Sequence, residues 1–394
     1  MRILITDSDN RSALAATRSL GRQGHQILVA GERSPSLAAA SRYCQEFISY
    51  PGPGKDPEAF LDAIVSACRV HKVDVLLPMT EVSTLLLTER RQALPEGTAL
   101  PFSSSTSIAG ASDKAAVLRI ATELGVPVPK TTHLEGKADI HRIAVGQSFP
   151  VVIKPARSRV RTAQGYISTG VSYAHSAAEL INQIEALAPE VFPVLLQERI
   201  DGPGVGLFAC YDEGRPIAWF AHKRIREKPP SGGVSVLRES APLDPQAAAH
   251  AERLLTALKW HGVAMVEFKR DNRDGSLRLM EINARFWGSL QLAVDAGVDF
   301  PGILVDLAAG RHPPSTKEYK IGVRSRWFWG DVDALLQILF RSRSRLNLPE
   351  SHPGRLRTAW EFIQFWDRNT HEEILQRDDP GPFLLETKRW LTGA

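Results

Sequence analysis

The segment from Val263 to Ser289 predicts a β-hairpin, and it constrains the fold more than any other stretch of the chain. Its two halves alternate apolar and polar residues with period two, and Asp271 to Gly275 between them is a turn sequence. If the hairpin is symmetric about Asp274, Glu267 lies directly opposite Glu281 on one face. This half of the chain is therefore expected to form an antiparallel sheet.

Asn283 lies two residues beyond Glu281 on the same predicted face, so an amide joins the two carboxylates. Opposed carboxylates repel each other and weaken a sheet, and a divalent cation between them would compensate. Two carboxylates and an amide oxygen are hard ligands of the kind that Mg²⁺ prefers. The alternative is a pair of solvated glutamates on an exposed strand, which a register slip of one residue would favour.

The first hundred residues alternate strands and helices, which predicts an α/β domain with a doubly wound parallel sheet over residues 1–111. The first strand is followed by Asp7 to Arg11 instead of the glycine-rich turn of a dinucleotide fold. Such sheets bind ligands in crevices at the carboxyl ends of their strands, so this turn is a candidate substrate site. Its candidate residues are Asp9, Asn10 and Arg11, and Glu81 follows a later strand in an equivalent position.

Residues 112–320 predict a second domain of α+β type, because short strands with long connections follow from Pro150 onwards. Its smaller lobe is expected over about residues 130–200. Residues 321–394 predict a C-terminal extension, mainly helical or mixed, with Trp327, Trp329, Trp360, Trp366 and Trp390. Packing of these tryptophans against the main body is favoured over peripheral contact with a membrane surface.

The composition is that of an ordinary globular protein, with 43% hydrophobic and 23% charged residues and a formal net charge of +4. That mild charge does not argue for nucleic acid, and no apolar run approaches the roughly 18 residues that cross a bilayer. Cys44, Cys68 and Cys210 are widely spaced and suit neither a disulfide framework nor a zinc site. A cytoplasmic protein without a nucleic-acid partner is the expectation.

Cationic side chains upstream of the hairpin are placed to neutralise phosphate groups. Lys154 ends an apolar strand, and the run Ala156 to Gly165 carries three arginines, which suits a loop that closes over polyphosphate. His222 to Arg224 end another strand, and Ser231 and Gly232 lie in an amide-rich turn that suits an anion. A surface lysine and a solvated loop are the alternatives. Neither the Walker pattern nor the kinase triplets occur.

The order of these motifs resembles the ATP-grasp superfamily, in particular its carboxylate-amine ligase branch. Along the chain, a βαβ domain and a helix with Lys114 are followed by the motifs VIKP, QERI, HKR and SGG. A glutamate and the motif EINxR come last. Over about residues 1–310 the chain looks like carbamoyl-phosphate synthase and D-alanine ligase in its nucleotide core. The resemblance implies that a nucleotide lies between two α+β lobes.

Carried over residue by residue, the resemblance implies contacts for ATP, a metal ion and the substrates. The residues implied for ATP are Lys114, Lys154, Gln197, Glu198, Arg199, Ile200, Asp201 and His222. The residues implied for Mg²⁺, or for Mn²⁺ in its place, are Glu267, Glu281 and Asn283. Those implied for catalysis are Arg285, Lys154 and Arg224. The resemblance implies Ser289 for the substrate carboxylate, and the residues themselves add Ser231, Gly232, Asp9, Asn10, Arg11 and Glu81 as substrate candidates.

The implied reaction phosphorylates a carboxylate with ATP to an acyl phosphate, which an amine attacks with release of ADP and phosphate. A carboxylate that approaches polyanionic ATP needs cations where charge is shared in the transition state, and the predicted site supplies them. Two alternatives stay open, a phosphotransferase of the same superfamily with a non-amine acceptor and a nucleotide-binding regulatory protein without turnover. The resemblance also leaves a homodimer open, and the sequence identifies neither the carboxylate nor the amine.

Overall fold

The computed structural model describes residues 1–162, 165–230, 233–342, 346, 348, 353–363 and 369–393. Its strands are β1 Arg2–Ile5, β2 Gln26–Gly31, β3 Cys44–Ser49, β4 Val75–Leu77, β5 Thr131–Leu134, β6 Val151–Pro155, β7 Arg159–Thr162, β8 Gly165–Ser168, β9 Ser172–Ala174, β10 Val194–Glu198, β11 Gly204–Asp212, β12 Arg215–Lys228, β13 Val234–Ser240, β14 Gly262–Arg270, β15 Leu277–Asn283, β16 Arg324–Arg326 and β17 Thr370–Glu372. Its α-helices are α1 Arg11–Arg22, α2 Pro57–Val70, α3 Glu81–Glu89, α4 Ser105–Ser112, α5 Lys114–Glu123, α6 Ile140–Val145, α7 Ala177–Glu185, α8 Pro245–Ala257, α9 Leu290–Ala296, α10 Phe300–Ala308, α11 Phe328–Phe340, α12 Arg355–Ile363 and α13 Gly381–Thr392.

The first sheet is parallel and has the strand order β3-β2-β1-β4. Ile3, Leu4 and Ile5 of β1 are completely buried, as expected for a parallel strand covered on both faces. The alternation of strands and helices that the sequence predicts in this region is confirmed. Because α1 and α3 begin shortly after β1 and β4, the starts of both helices lie at the carboxyl edge of the sheet.

The second sheet is antiparallel, with the order β5-β10-β6-β9. Ile153 and Leu196 point to one face and are buried in an apolar core that includes Leu180 of α7. Because side chains alternate along a strand, Lys154 and Gln197 point to the other face. That face is therefore the polar side of the small lobe.

The largest sheet has seven strands in the order β15-β14-β11-β12-β13-β16-β17. Trp219 and Val266 of one face belong to a core that includes residues of α8. Phe208, Phe220 and Met265 of the other face belong to a core shared with β1, β2 and β4 of the first sheet. This second face therefore joins the large sheet to the N-terminal domain, and it is also the face that carries Glu267.

The hairpin of β7 and β8 contacts the N-terminal domain. The Tyr166 backbone N–H donates to the Gly54 carbonyl at 2.7 Å. Gly165 has φ +112°, and a Cβ at this position would lie 2.1 Å from the Gly54 carbonyl oxygen, so only glycine allows this approach. Strand β7 lies within the predicted polyphosphate loop, Ala156 to Gly165. Residues 163–164 of this loop lie outside the described residues.

Residues 321–394 contribute two strands to the edge of the large sheet, with β16 antiparallel to β13 and β17 parallel to β16. Glu373, Asp379 and Arg389 of this segment also hold the turn after β1 and helix α1. We call these three residues the C-terminal clasp. Arg18 of α1 is fully buried and donates to the Asp379 carboxylate at 2.8 Å. The domain boundaries at residues 111 and 320 stay predictions.

Most described tryptophans of this C-terminal segment are engaged inside it. The rings of Trp329 and Trp390 stack with centroids 4.1 Å apart, and the Trp327 indole N–H donates to Glu386 at 2.7 Å. Trp360 on α12 is 62% exposed, and Trp366 lies outside the described residues. Among the described residues, no helix combines the length and apolar character needed to cross a membrane.

Candidate functional site

Strands β14 and β15 form the hairpin that the sequence predicts, and the predicted register is confirmed at its centre. Glu267 pairs with Glu281, and Met265 pairs with Asn283. The register shifts between Glu267 and Phe268, which is a bulge towards the turn. The two carboxylates therefore lie side by side on the face that meets the N-terminal domain.

The three predicted metal ligands meet in one cluster. The Asn283 amide nitrogen donates to Glu281 Oε1 at 3.0 Å and lies 3.5 Å from Glu267 Oε1. Burial, reinforced by the charge of Glu281, raises the pKa of Glu267. Cations offset the negative charge from two sides, with Lys114 Nζ 3.7 Å from Glu281 Oε2 and Arg224 Nη2 3.3 Å from Glu267 Oε2. The charge of Arg224 acts against this rise in the pKa of Glu267, but burial and Glu281 outweigh it.

This donor set fits a hard divalent cation. The two carboxylates supply oxygen ligands, and a 180° rotation of the Asn283 amide would present its oxygen to the same space. A cation between the carboxylates would offset their repulsion, which adds to the larger effect of burial on the pKa of Glu267. In the part of the chain that the structure describes, no group of three or more His, Cys, Asp or Glu side chains is arranged to hold a metal. Glu267, Glu281 and Asn283 together could hold such a cation, and their role as metal ligands stays a prediction.

Two lysines face this cluster from other elements. Lys114, the first residue of α5, donates to Ser158 Oγ at 2.8 Å. Lys154 of β6 donates to Gln197 Oε1 at 2.7 Å. Burial lowers the pKa of Lys154 to about 8, although the negative charge of Glu281 acts in the opposite direction. Both ammonium groups therefore lie in the cleft between the small lobe and the hairpin.

Arg285 connects this cleft to a larger cavity. Its guanidinium donates to Asn283 Oδ1 at 3.3 Å and to the Phe286 carbonyl at 2.9 Å, so its contacts here are with neutral oxygens. Glu81, the first residue of α3, lines the same two spaces. Burial raises the pKa of Glu81, while the charges of Arg285 and Lys114 oppose the shift. A cationic and an acidic side chain thus face each other where the cleft and the cavity meet.

The cavity has a volume of about 890 Å³. Its walls come from the carboxyl edge of the first sheet, the β7–β8 hairpin and the segment after β15. The charged and polar residues along these walls include Asp9, Asn10, Arg11, Ser12, Glu32, Arg33, Lys55, Glu81, Arg159 and Arg285. The predicted substrate turn is therefore brought to one space with Arg285, although the two lie far apart in the sequence.

The predicted adenine segment begins at the end of β10, where the side chains are already engaged. Glu198 accepts hydrogen bonds from the Lys130 backbone N–H at 2.8 Å and from Arg273 Nη2 at 3.0 Å. The side-chain amide oxygen of the neighbouring Gln197 accepts from Lys154. A contact between the Glu198 side chain and adenine stays a prediction.

The next three residues lead from the small lobe to the large sheet. Arg199 and Asp201 form an exposed ion pair with 2.9 Å between Nε and Oδ1. Ile200 is buried, and its carbonyl accepts from Lys269 Nζ at 2.9 Å. The assignment of these residues to the adenine ring and the ribose likewise stays a prediction.

His222 and Ser289 form a buried pair beside the site. His222 Nε2 lies 2.9 Å from Ser289 Oγ, and the imidazole stacks on Phe208 with ring centroids 4.7 Å apart. Burial, followed by the charges of Arg238 and Arg224, lowers the pKa of His222 to about 3. The neutral imidazole therefore supports the start of α9 from the sheet, next to the segment that carries the predicted catalytic arginine.

The C-terminal clasp holds the predicted substrate turn in place. Arg389 Nη1 donates to Asp9 Oδ1 at 2.7 Å, and Arg11 Nη1 donates to Glu373 Oε2 at 2.6 Å. The Arg11 guanidinium also lies 4.1 Å from the centroid of the Trp327 ring. Two of the predicted substrate residues thus take their positions from the far end of the chain.

The predicted anion-binding turn contains Ser231 and Gly232, which lie outside the described residues. The described end of β12 is anchored on α11, where Arg226 Nε donates to Asp331 Oδ1 at 2.7 Å. Lys228 pairs with Asp333 in the same way. The C-terminal segment therefore also positions the strand that leads into this turn.

Two contributors to the site lie in segments that the sequence singles out, but neither was named there as a site residue. Asp7 has φ 56°, and its carboxylate accepts from the Thr80 N–H at 3.2 Å and from Ser83 Oγ at 2.6 Å. It thereby ties the turn after β1 to the start of α3, and an acid directly after a buried strand was its only sequence signal. Ser158, which accepts from Lys114, carried no signal beyond its place in an arginine-rich run.

Comparisons with known proteins agree with this geometry. Residues 190–329 match a family model described as ATP-grasp in the biosynthetic pathway with Ter operon. A D-alanine–D-alanine ligase from Pseudomonas fluorescens (strain Pf0-1) is 29% identical over 127 residues, which cover 32% of this chain and 37% of that protein. The chain therefore spans little more than a third of the curated relative that it matches.

Solved structures are similar over most of the chain. The L-amino acid ligase from Bacillus licheniformis is 18% identical, with a TM-score of 0.61 over 78% of this chain and 73% of that one. The biotin carboxylase domain of the Hydrogenobacter thermophilus 2-oxoglutarate carboxylase, solved with MgADP, is 15% identical, with a TM-score of 0.65 over 82% and 73%. At these identities the similarity shows the fold. The predicted resemblance is confirmed, because residues 190–329 match an ATP-grasp family model and these solved structures share the fold.

Proposed function

We propose that this ATP-grasp protein is an ATP- and Mg²⁺-dependent ligase that joins a carboxylate to an amine through an acyl phosphate. The observation that supports the proposal is the position of Arg285. It adjoins the Glu267, Glu281 and Asn283 cluster on one side and lines the 890 Å³ cavity on the other. A group transferred from a nucleotide in the cleft to a substrate in the cavity would pass this guanidinium.

Different residues of the cleft would hold the metal ion and the phosphates of the nucleotide. Glu267, Glu281 and Asn283 would hold Mg²⁺, which when bound neutralises and orients phosphate oxygens. Lys114 and Lys154 face the same space and would contact the phosphates directly. Arg224, which already touches Glu267, would keep that carboxylate oriented.

The reaction then balances as two substitutions. A carboxylate oxygen of the substrate attacks the γ-phosphorus of ATP, the bond to the bridging oxygen breaks, and ADP leaves. The amine nitrogen next attacks the carbonyl carbon of the acyl phosphate, and phosphate leaves as the amide forms. Arg285 would stabilise the negative charge that is shared among the phosphoryl oxygens in the first transition state.

Glu81 would accept the proton that the amine nitrogen releases. It lines the cavity beside Arg285, and burial raises its pKa, which makes the ionised carboxylate a stronger proton acceptor. Its position at the first turn of α3 also fixes it on a regular element of the N-terminal domain. The amine is therefore expected to enter from the side of the first sheet.

The test is incubation with ATP, Mg²⁺ and pairs of acids and amines. Amino acids are the first candidates, because two proteins to which the chain is similar are described as ligases of D-alanine and of L-amino acids. ADP and phosphate are expected only with a suitable pair, and hydroxylamine should trap the acyl phosphate as a hydroxamate. Release of AMP would contradict the mechanism. Phosphate retained on the product would indicate a phosphotransferase, and nucleotide binding without turnover would indicate a regulatory protein.

Lys154 predicts a pH dependence of nucleotide binding. Because its pKa is about 8, the free protein carries a charged Lys154 below pH 8 and a neutral one above it. ATP binds best to the charged form, so binding above pH 8 must take up a proton, and the affinity should fall about tenfold per pH unit. Titrations of ATP between pH 7 and 9.5 check this expectation.

Lys154→Arg is the matched control for this titration, since arginine stays charged throughout the range. Its absolute affinity is expected to be weaker, because the guanidinium is larger, but constant from pH 7 to 9.5. An ATP affinity of the wild-type protein that does not change over this range would show that Lys154 does not contact the phosphates.

A further inference from the structure

The N-terminus of α1 opens on the cavity without a cap. Asn10 occupies the cap position, but its amide donates to the Asp7 carbonyl at 3.1 Å, and no side chain caps the first turn. The first turn also contains no acidic residue. Uncapped N–H groups and the helix dipole attract anions to such an end.

Ser12 independently points to a ligand at the same place. It lies in the first turn of α1, lines the cavity and is only 4% exposed. Within the described residues its hydroxyl makes no hydrogen bond. A hydroxyl on a cavity wall that no protein group engages is available to a ligand oxygen.

The charges near this helix end favour an anion. Arg33 and Lys55 line the cavity on the same domain, and Lys55 has no ion-pair partner among the described residues. The acids beside them are engaged. Asp9 accepts from Arg389 at 2.7 Å and also lies 3.8 Å from Arg33 Nη2, and Asp7 accepts from the residues at the start of α3. Lys55 is therefore the cation of this pair that is left for a ligand.

Glu81 also lines the cavity, where it is proposed to face the amine, and the other remaining acid is Glu32. It is exposed, and its carboxylate packs against Gly52, where an added Cβ would lie 2.6 Å from Oε2. Solvent screens a charge in this position. Glu32 therefore does not exclude an anion from the start of α1.

We infer that the start of α1, with Ser12, is a second anion-binding subsite of the cavity. Since this rests on the proposed function, it defines the acid substrate as a molecule with two acidic groups. The reacting carboxylate would lie at Arg285, and a further carboxylate or phosphate group would accept hydrogen bonds from Ser12 Oγ and the first-turn N–H groups. Arg285 and Ser12 line the same cavity, whose 890 Å³ has room for such a molecule.

Two variants test the subsite directly. Asn10→Asp places a negative charge at the start of α1, where aspartate is a good cap, so the helix should stay intact. Binding of inorganic phosphate to the full chain saturated with MgADP is expected to weaken about tenfold or more. Ser12→Ala should weaken it about tenfold through the loss of one hydrogen bond. Asn182→Asp on α7 and Ser66→Ala on α2 are matched controls at exposed positions and should bind phosphate like the wild type.

Arg285→Ala separates this subsite from the transfer site. Phosphate bound at α1 should be kept in Arg285→Ala and lost in Asn10→Asp. The reverse pattern, or equal phosphate affinity in the wild type, Asn10→Asp and Ser12→Ala, would overturn the inference. Phosphate binding is measured without turnover, so its result can be interpreted even if the ligase assay fails.

A substrate series distinguishes the two sources of the anion. Acids of equal length that end in a methyl, a carboxylate or a phosphate group are compared by ADP release with one amine. An acid with a second anionic end should have a KM about tenfold lower, and Asn10→Asp should remove that preference. The end group that gives the lower KM identifies the ligand. If the wild type uses the methyl-ended acid equally well, the inference is overturned while the ligase proposal stands. If no acid releases ADP, the ligase proposal fails, and the phosphate-binding measurement alone decides on the subsite.

Discussion

Replacement of Glu281 by glutamine is expected to reduce ADP release about a thousandfold while the fold stays intact. Glu281 lies opposite Glu267 and within 3.7 Å of Lys114, so its carboxylate is central to the proposed metal cluster. Glutamine has the same shape but removes one negative charge, which weakens Mg²⁺ binding. The same change relieves the repulsion on Glu267, so the melting temperature should not fall by more than a few degrees.

Two measurements separate the loss of metal binding from the loss of folding. In the wild-type protein Mg²⁺ should strengthen ADP binding, and in Glu281→Gln this effect should largely disappear. Circular dichroism checks that the secondary structure is unchanged. Glu123→Gln, at the exposed end of α5, makes the same chemical change away from the cluster and should keep full activity. Wild-type turnover by Glu281→Gln would refute the assignment of the metal ligands.

Replacement of Arg285 by alanine is expected to lower kcat about a hundredfold to a thousandfold. Its guanidinium contacts Asn283 and the Phe286 carbonyl rather than a carboxylate, so its charge is available to a transferred phosphoryl group. Because Lys114 and Lys154 hold the nucleotide in the proposed arrangement, MgADP affinity should stay within about threefold of the wild type. Hydroxamate formation should fall in parallel with kcat.

Arg285→Lys refines this expectation, since lysine keeps the charge but cannot donate two parallel hydrogen bonds. Its kcat should lie between those of the wild type and Arg285→Ala. Arg215→Ala, at the start of β12 where Arg215 pairs with Asp212, is a control for the loss of an arginine from the same sheet. A variant with weakened ATP binding and an unchanged kcat would place Arg285 in nucleotide binding alone.

The hairpin was predictable because its signals are local. Period-two alternation and the turn from Asp271 to Gly275 fix which residues face each other, and the observed pairing of Glu267 with Glu281 follows from that count. The bulge after Glu267 was not predictable, since no residue type demands it. The start of α5 was predictable for a similar reason, because Asp113 caps the helix by accepting from the Ala116 N–H at 3.1 Å.

Contacts between distant parts of the chain could not be predicted in this way. The hydrogen bond between Lys154 and Gln197 depends on the pairing of β6 with β10, and a single sequence does not show which strands pair. The left-handed conformation of Asp7 had no signal either, because aspartate only tolerates it. The contact of Arg11 with Glu373 requires the whole fold to be known.

The C-terminal clasp also bears on how the molecule folds. The hydrogen bonds of Arg18, Arg11 and Arg389 join residues separated by 361, 362 and 380 positions. Pairings at this distance close very large loops, so we expect them to form after the local elements that they join. The turn that lines the cavity is therefore expected to reach its final conformation among the last parts of the molecule. A substrate bound in the cavity would consequently indicate that folding is complete, because local propensity alone cannot form the turn that lines the cavity.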